Sequence, residues 1–168
     1  MKKRTHYIDN SMFLKEMIAY KDKIKEAKEA NKQKPRIPEY VGKCFMMIAE
    51  NLSHKPNFIS YTFRDEMISD AIENCVLYAD NFDPTKSSNP FAYFTQIVYY
   101  AFLRRIQREK KQLYVKYKSA EMSGVIDEFN QLDADGVNRQ FELYDNISAF
   151  IENYETSVKT KKLKGESE

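Results

Sequence analysis

Apolar residues recur along this chain at helical spacing, and the recurrences break at proline and small polar residues. After Asp9-Asn10-Ser11, all types that cap helices, come Phe13, Met17, Tyr20 and Ile24. Their intervals of four, three and four residues put them on one face of a first helix. The charged stretch from Lys28 to Lys34 reads as a solvated linker, and Pro35 and Pro38 punctuate it. Pro38 suits the first turn of a second helix, whose inward face holds Val41, Cys44, Phe45, Ile48 and Leu52. Ser53-His54-Lys55-Pro56-Asn57 ends that helix.

A third helix is predicted from Thr62 to Asn81, with Ile68, Ala71, Ile72, Cys75 and Ala79 inward. Glu66, Ser69, Asp70 and Glu73 share another face. Asp83 to Pro90 is a loop, with Asn89 placed to cap a long fourth helix and Pro90 to begin it. Phe91, Phe94, Val98 and Phe102 can face the core from there. Beyond Tyr117 the pattern weakens. Met122-Ser123-Gly124 is a break and Asp133-Ala134-Asp135-Gly136 a turn. Phe141, Tyr144, Ile147, Ile151 and Tyr154 then mark a short amphipathic helix. The expected fold class is all-α: a compact helical bundle with polar tails. Its segments are an N-terminal helix and linker over 1–37, a helical core over 38–118, an acidic helical appendage over 119–158 and a disordered tail over 159–168.

Charge changes the picture because it is segregated. From Asp65 to Asp83 there are six acids and no Lys or Arg; from Arg104 to Lys118 there are seven bases and one acid. The net charge of +2 hides this division, so local charge says more than the total. On the fourth helix, Tyr93, Gln96, Tyr100, Arg104, Gln107 and Lys111 fall on one stripe. Flat rings alternating with amide and guanidinium groups form the set that stacks on bases and pairs with phosphates. The plainer account is that single tyrosines on helices are half-buried packing residues and that charge runs are solvated faces. Like charges at Glu66, Asp70 and Glu73 repel slightly, a cost that a basic partner would relieve.

Composition excludes several classes. With 42% hydrophobic residues in 168, a core can form, and 31% charged residues keep the surface wet. No run reaches the ~20 apolar residues of a membrane-spanning helix. Cys44 and Cys75 sit within apolar helical patterns, which reads as reduced core thiols in a cytoplasmic setting. With two histidines, no glycine-rich phosphate loop and no metal-ligand spacing, neither a catalytic residue nor a metal or cofactor is expected.

The order of features resembles a known family. Glu66-Met67-Ile68-Ser69-Asp70, then Asp80-Asn81-Phe82-Asp83, a polar loop, Phe91-Ala92-Tyr93-Phe94-Thr95 and Arg104-Arg105 looks like the core-binding and promoter-melting region of bacterial sigma factors. It is closer still to the late-transcription sigma factors of T-even-like phages. Met46-Met47-Ile48-Ala49-Glu50-Asn51-Leu52-Ser53, Asn57-Phe58-Ile59-Ser60-Tyr61-Thr62 and the run from Asn81 to Tyr93 carry that likeness over the first two-thirds of the chain.

The resemblance implies a transcription initiation factor in the cytoplasm of an infected bacterium. It would direct RNA polymerase core to late promoters by recognising and melting an A·T-rich minus-ten-like element. Glu66, Ser69 and Asp70, with Glu73 beside them, would dock on the β′ clamp helices. Phe94 would help hold an unstacked promoter base, among Tyr93, Gln96, Tyr99 and Tyr100, while Arg104, Arg105, Arg108 and Lys111 would contact phosphates. Promoter DNA, a sliding clamp and a late coactivator are the other implied partners. Two departures stand out. The family's tryptophan pair is Ile97-Val98 here, which leaves Tyr99 and Tyr100 as the nearest rings. The hydrophobic-acidic clamp-binding tail is not matched by Lys161-Lys162-Leu163-Lys164-Gly165-Glu166. Two rival readings stay open: a helix-turn-helix regulator of duplex DNA, which the long Asp83–Pro90 loop disfavours, and a helical adaptor with no nucleic-acid role.

Overall fold

The computed structural model describes residues 7–124 and 137–165, with side chains described over 7–124 and 145–160. Every regular element among the described residues is helical: α1 Asn10–Glu29, α2 Glu39–Ser53, α3 Arg64–Tyr78, α4 Pro90–Met122 and α5 Val137–Gly165. The chain divides into two compact units, at Ile106/Gln107 inside α4, and α1 belongs to the first.

In the first unit, local chemistry sets the helix ends. Asp9 Oδ1 accepts the amides of Ser11 (2.9 Å) and Met12 (3.2 Å), which satisfies two of the orphan donors of α1. At its other end Asn31 takes φ 51°, a left-handed conformation that asparagine tolerates, and the amide of Lys32 returns to the Ala27 carbonyl at 2.8 Å. The start of α4 is capped twice. Asn89 Oδ1 accepts from the Ala92 amide at 3.0 Å, and Asn10 Oδ1 reaches across from α1 to accept from the Phe91 amide at 3.1 Å. The polar loop before α4 is tightened by Asp83, whose Oδ1 accepts from the amide and the hydroxyl of Thr85. Those bonds hold its carboxyl below the usual range.

The core is aromatic. Phe94 of α4 lies 4.5 Å from Phe45 of α2 and 5.6 Å from Phe13 of α1 between ring centroids, and all three are fully buried. Met17, Tyr20 and Ile24 of α1 and Val41, Cys44 and Ile48 of α2 join them, as the periodicity predicts, whereas Leu52 is only half-buried. Two aromatics outside the helices complete the packing. Phe82 sits 5.3 Å from Tyr93, and Phe58 sits 5.1 Å from Phe102. Burying a Phe side chain in this way is worth ~1.5–3 kcal/mol.

The third helix departs from expectation. It starts at Arg64 and ends at Tyr78, and Ala79–Asn81 continues as a 3-10 turn. Ala71, Cys75 and Ala79 are buried as predicted and Met67 joins them, while Ile68 and Ile72 are half-buried and pack against the core's edge. Spacing of four runs from Met67 through Ala79, and the last three of that line, Ala71, Cys75 and Ala79, are small enough to admit close helix approach.

The second unit joins the distal half of α4 to α5. Tyr114 stacks on Tyr154 at 4.5 Å and Tyr117 meets Phe150 edge-on at 5.6 Å, a pairing that rises on one helix as it falls on the other. The two helices therefore run antiparallel. Tyr114 donates to Glu155 at 2.9 Å, and Lys118 bridges Glu121 (2.8 Å) and Glu155 (3.4 Å). Gly124, at φ 69°, follows the end of α4 and supplies the predicted break. The helix α5 continues to Gly165, into the tail expected from residue 159. Nothing between Lys159 and Lys164 breaks a helix, and lysines near a C-terminus complement its dipole. The turn at 133–136 and the side chains of Phe141 and Tyr144 lie outside the described residues.

Candidate functional site

Three surfaces hold the residues singled out from the sequence. The first is the outer face of α3. Glu66, Ser69 and Glu73 are exposed there, and the face continues into Val76 and Leu77, which are 41% and 64% exposed. Asp70 is different. Its carboxylate accepts from the guanidinium of Arg105 on α4 at 3.3 Å, with the two side chains only 25% and 18% exposed. Asp70 was expected at a partner surface and Arg105 on a phosphate; in the folded chain each is engaged by the other. The repulsion expected along the acidic helix is thus relieved in part from within.

Beside that pair, Asn74 Nδ2 donates to the Asp70 carbonyl at 2.6 Å, which turns its Oδ1 toward α4. The oxygen accepts from Arg104 at 2.7 Å. Arg104 remains exposed, but it is held by α3 instead of sweeping freely.

The second surface is a shallow groove of about 260 Å³ lined by Tyr78, Tyr93, Gln96, Ile97, Tyr100 and Arg104. Four members of the predicted stripe, Tyr93, Gln96, Tyr100 and Arg104, therefore do come together. Tyr93 leans on Phe82 and Phe94, and burial raises its phenol above the usual range. Tyr100 is 50% exposed and Tyr99 40%, with their rings 5.8 Å apart; Tyr99 also rests edge-on against Phe58. A flat half-covered ring beside an amide and a fixed guanidinium can take a planar, anion-bearing ligand such as a nucleotide.

Phe94 is corrected here. It is fully buried among Phe13, Phe45 and Phe82 and offers no face to a base. Of its two readings, core ring and base-holding ring, the first holds. Tyr78 was missed. Val76 and Leu77 fall on the outer face by period, but Tyr78 shares the azimuth of Met67 and Ala71 and is nonetheless 45% exposed at the end of α3, so the pattern points the other way.

The third surface is the distal half of α4, described within its own unit. Arg108 and Lys111 are exposed and, with Gln112, Val115 and Lys116, line an open groove of about 430 Å³. Gln107, the remaining stripe residue, is exposed as well.

Both thiols are inert structural groups. Burial pushes Cys44 up to about 11 and Cys75 up to about 12. No group of His, Cys, Asp or Glu among the described residues is placed to hold a metal ion, and no described helix is long and apolar enough to cross a membrane. No family model matches this chain, and no curated protein matches it either.

Proposed function

We propose that this chain is a sigma-type initiation factor that carries RNA polymerase core to phage late promoters and captures an A·T-rich element as melted single strand. The observation that carries the reading is the groove formed by Tyr78, Tyr93, Gln96, Tyr100 and Arg104, which gathers stacking, hydrogen-bonding and cationic groups on one surface. The resemblance of residues 46–105 to sigma factors supports it in order and spacing. Glu66, Ser69 and Glu73, extended by Val76 and Leu77, form the face for the β′ clamp helices, and Asp70 serves to anchor α3 on α4. Tyr93, Tyr99 and Tyr100 stack on unpaired bases and Gln96 reads an edge, while Arg104, Arg108 and Lys111 meet phosphates. The protein itself catalyses no chemistry. Binding energy opens the duplex, and its setting is the cytoplasm of an infected host.

Co-purification with polymerase core, with and without promoter DNA, tests the reading. A sigma-type factor is retained by core alone and carries promoter DNA with it. A duplex regulator binds DNA without core, and an adaptor binds neither.

A further inference from the structure

Two consecutive arginines of α4 are held by one short stretch of α3, and they are held differently. Arg105 meets the carboxylate of Asp70, so its charge is answered by a charge. Arg104 meets a neutral amide. Asn74 Oδ1 accepts from its Nη2 at 2.7 Å, while Asn74 Nδ2 donates to the Asp70 carbonyl at 2.6 Å. With its donor committed one turn back on α3, the amide presents its oxygen to α4. Arg104 forms no ion pair among the described residues, and Asn74 occupies one of its five N–H donors. The side chain is therefore oriented without being neutralised. A carboxylate at position 74 would tie the two helices as well, but it would cancel the charge.

The orientation has a target. Arg104 lies at one end of the groove of about 260 Å³ that Gln96 and Tyr100 also line. Gln96, Tyr100 and Arg104 follow one another in four-residue steps, about 6 Å of helical rise each. The sugar of a nucleotide bridges such a step between base and phosphate. Tyr100 is half exposed and offers a ring, and Arg104 offers donors one turn further on. A freely moving arginine loses rotamer freedom when it binds an anion. One already held loses less, a difference of about two- to tenfold in affinity.

We propose, resting on the reading of the groove as a single-strand site, that Asn74 is its positioning residue. It fixes Arg104 where the phosphate of a nucleotide stacked on Tyr100 falls, and it acts on that ligand only through Arg104. The ligand of the groove is then a base together with its phosphate, a nucleotide unit and not a bare ring.

Binding of the full chain to a short single-stranded thymidine oligonucleotide, followed by fluorescence anisotropy across a range of salt and without polymerase, tests this. Arg104→Ala should weaken binding roughly tenfold and lower the slope of log K against log salt by about 0.7, the single-strand value for one phosphate. Asn74→Ala should weaken it about two- to tenfold with the slope unchanged, because the charge remains. The same substitution added to Arg104→Ala should cost nothing further, whereas a merely structural asparagine would add its cost in either background. Asn74→Asp, nearly equal in size, should lower the slope as Arg104→Ala does, since its carboxylate pairs with the guanidinium. Urea unfolding of each variant separates lost binding from lost fold. The proposal is overturned if Asn74→Ala binds like the parent, if its cost persists without Arg104, or if Asn74→Asp keeps the parent's slope. A parent that does not bind the strand also overturns it. Retention by polymerase core decides the initiation-factor reading separately, so either can fail while the other stands.

Discussion

Asp70 and Arg105 lie 35 residues apart in the chain, yet they meet at 3.3 Å across the packing of α3 on α4. That contact divides the segregated charge into two functions. Part of it fixes α4 against α3 and, through Asn74, holds Arg104 at the edge of the tyrosine groove. Glu66 and Glu73 on α3, and Arg108 and Lys111 on α4, are exposed.

The first expected outcome concerns that pair. Replacing Asp70 or Arg105 by Ala should cost about 1–3 kcal/mol, since a partly buried charged hydrogen bond is lost and its partner stays behind. Partial exposure keeps the cost below that of a fully buried pair. Urea unfolding of both singles and the double variant should give a coupling of about 1 kcal/mol. Additive effects would mean that the pair contributes nothing. Glu66→Lys and Glu73→Lys should leave unfolding nearly unchanged, which makes them the clean probes of a partner face.

The salt dependence of promoter binding should sort the arginines. Arg108→Ala and Lys111→Ala should each lower the slope of log K against log salt by about one unit and weaken all sequences alike. Arg105→Ala should leave the slope unchanged, because its charge is already met by Asp70. An equal loss of slope at Arg105 would show that the ion pair opens on DNA.

The buried thiols make stability depend on alkaline pH. Cys75 sits at about 12 and Cys44 at about 11 when folded, against an ordinary 9.0. The unfolded chain therefore releases these protons first as pH rises. Their contribution is fully present below pH 9 and is lost between 9 and about 12. Melting temperature should fall across that window, and Cys75→Ala, though destabilised overall by its cavity, should show a shallower decline. At neutral pH a disulfide-exchange reagent should label neither thiol until denaturant is added. Rapid labelling of the native chain would contradict the burial of both.

These contrasts mark where the sequence was legible. Phe13, Met17, Tyr20 and Ile24 could be placed because a single helix with one buried face imposes its period on them. On α3, Ala71, Cys75 and Ala79 were placed inward and are buried, whereas Ile68 and Ile72 lie at the margin of that face and Met67, on its other margin, is fully buried. Phe58 and Phe82 belong to no period and plug the core from connecting segments, so only the packed structure reveals them. The tyrosine groove was partly visible, since Tyr93, Gln96, Tyr100 and Arg104 share one helix. Tyr78 and Asn74 reach it from α3, and a pattern along one helix carries no information about which neighbour it meets.

Phe94 and Tyr100 provide the sharpest separation between fold and function. Phe94→Ala should empty a site lined by Phe13, Phe45 and Phe82 and cost ~3–5 kcal/mol of stability, so its losses in any assay follow unfolding. Tyr100 is half exposed and lines the groove, so Tyr100→Ala should unfold within ~0.5 kcal/mol of the parent. An aromatic–base stack is worth ~1–3 kcal/mol, comparable with unstacking one A·T step. Tyr100→Ala should therefore keep core binding and closed-complex formation but open promoters roughly ten times less well, and a template melted in advance should restore transcription. Permanganate reactivity of promoter thymines reports the opened strand directly. If Tyr100→Ala opens duplex promoters as readily as the parent does, the groove does not hold a base, and the exposed tyrosines serve a protein contact instead.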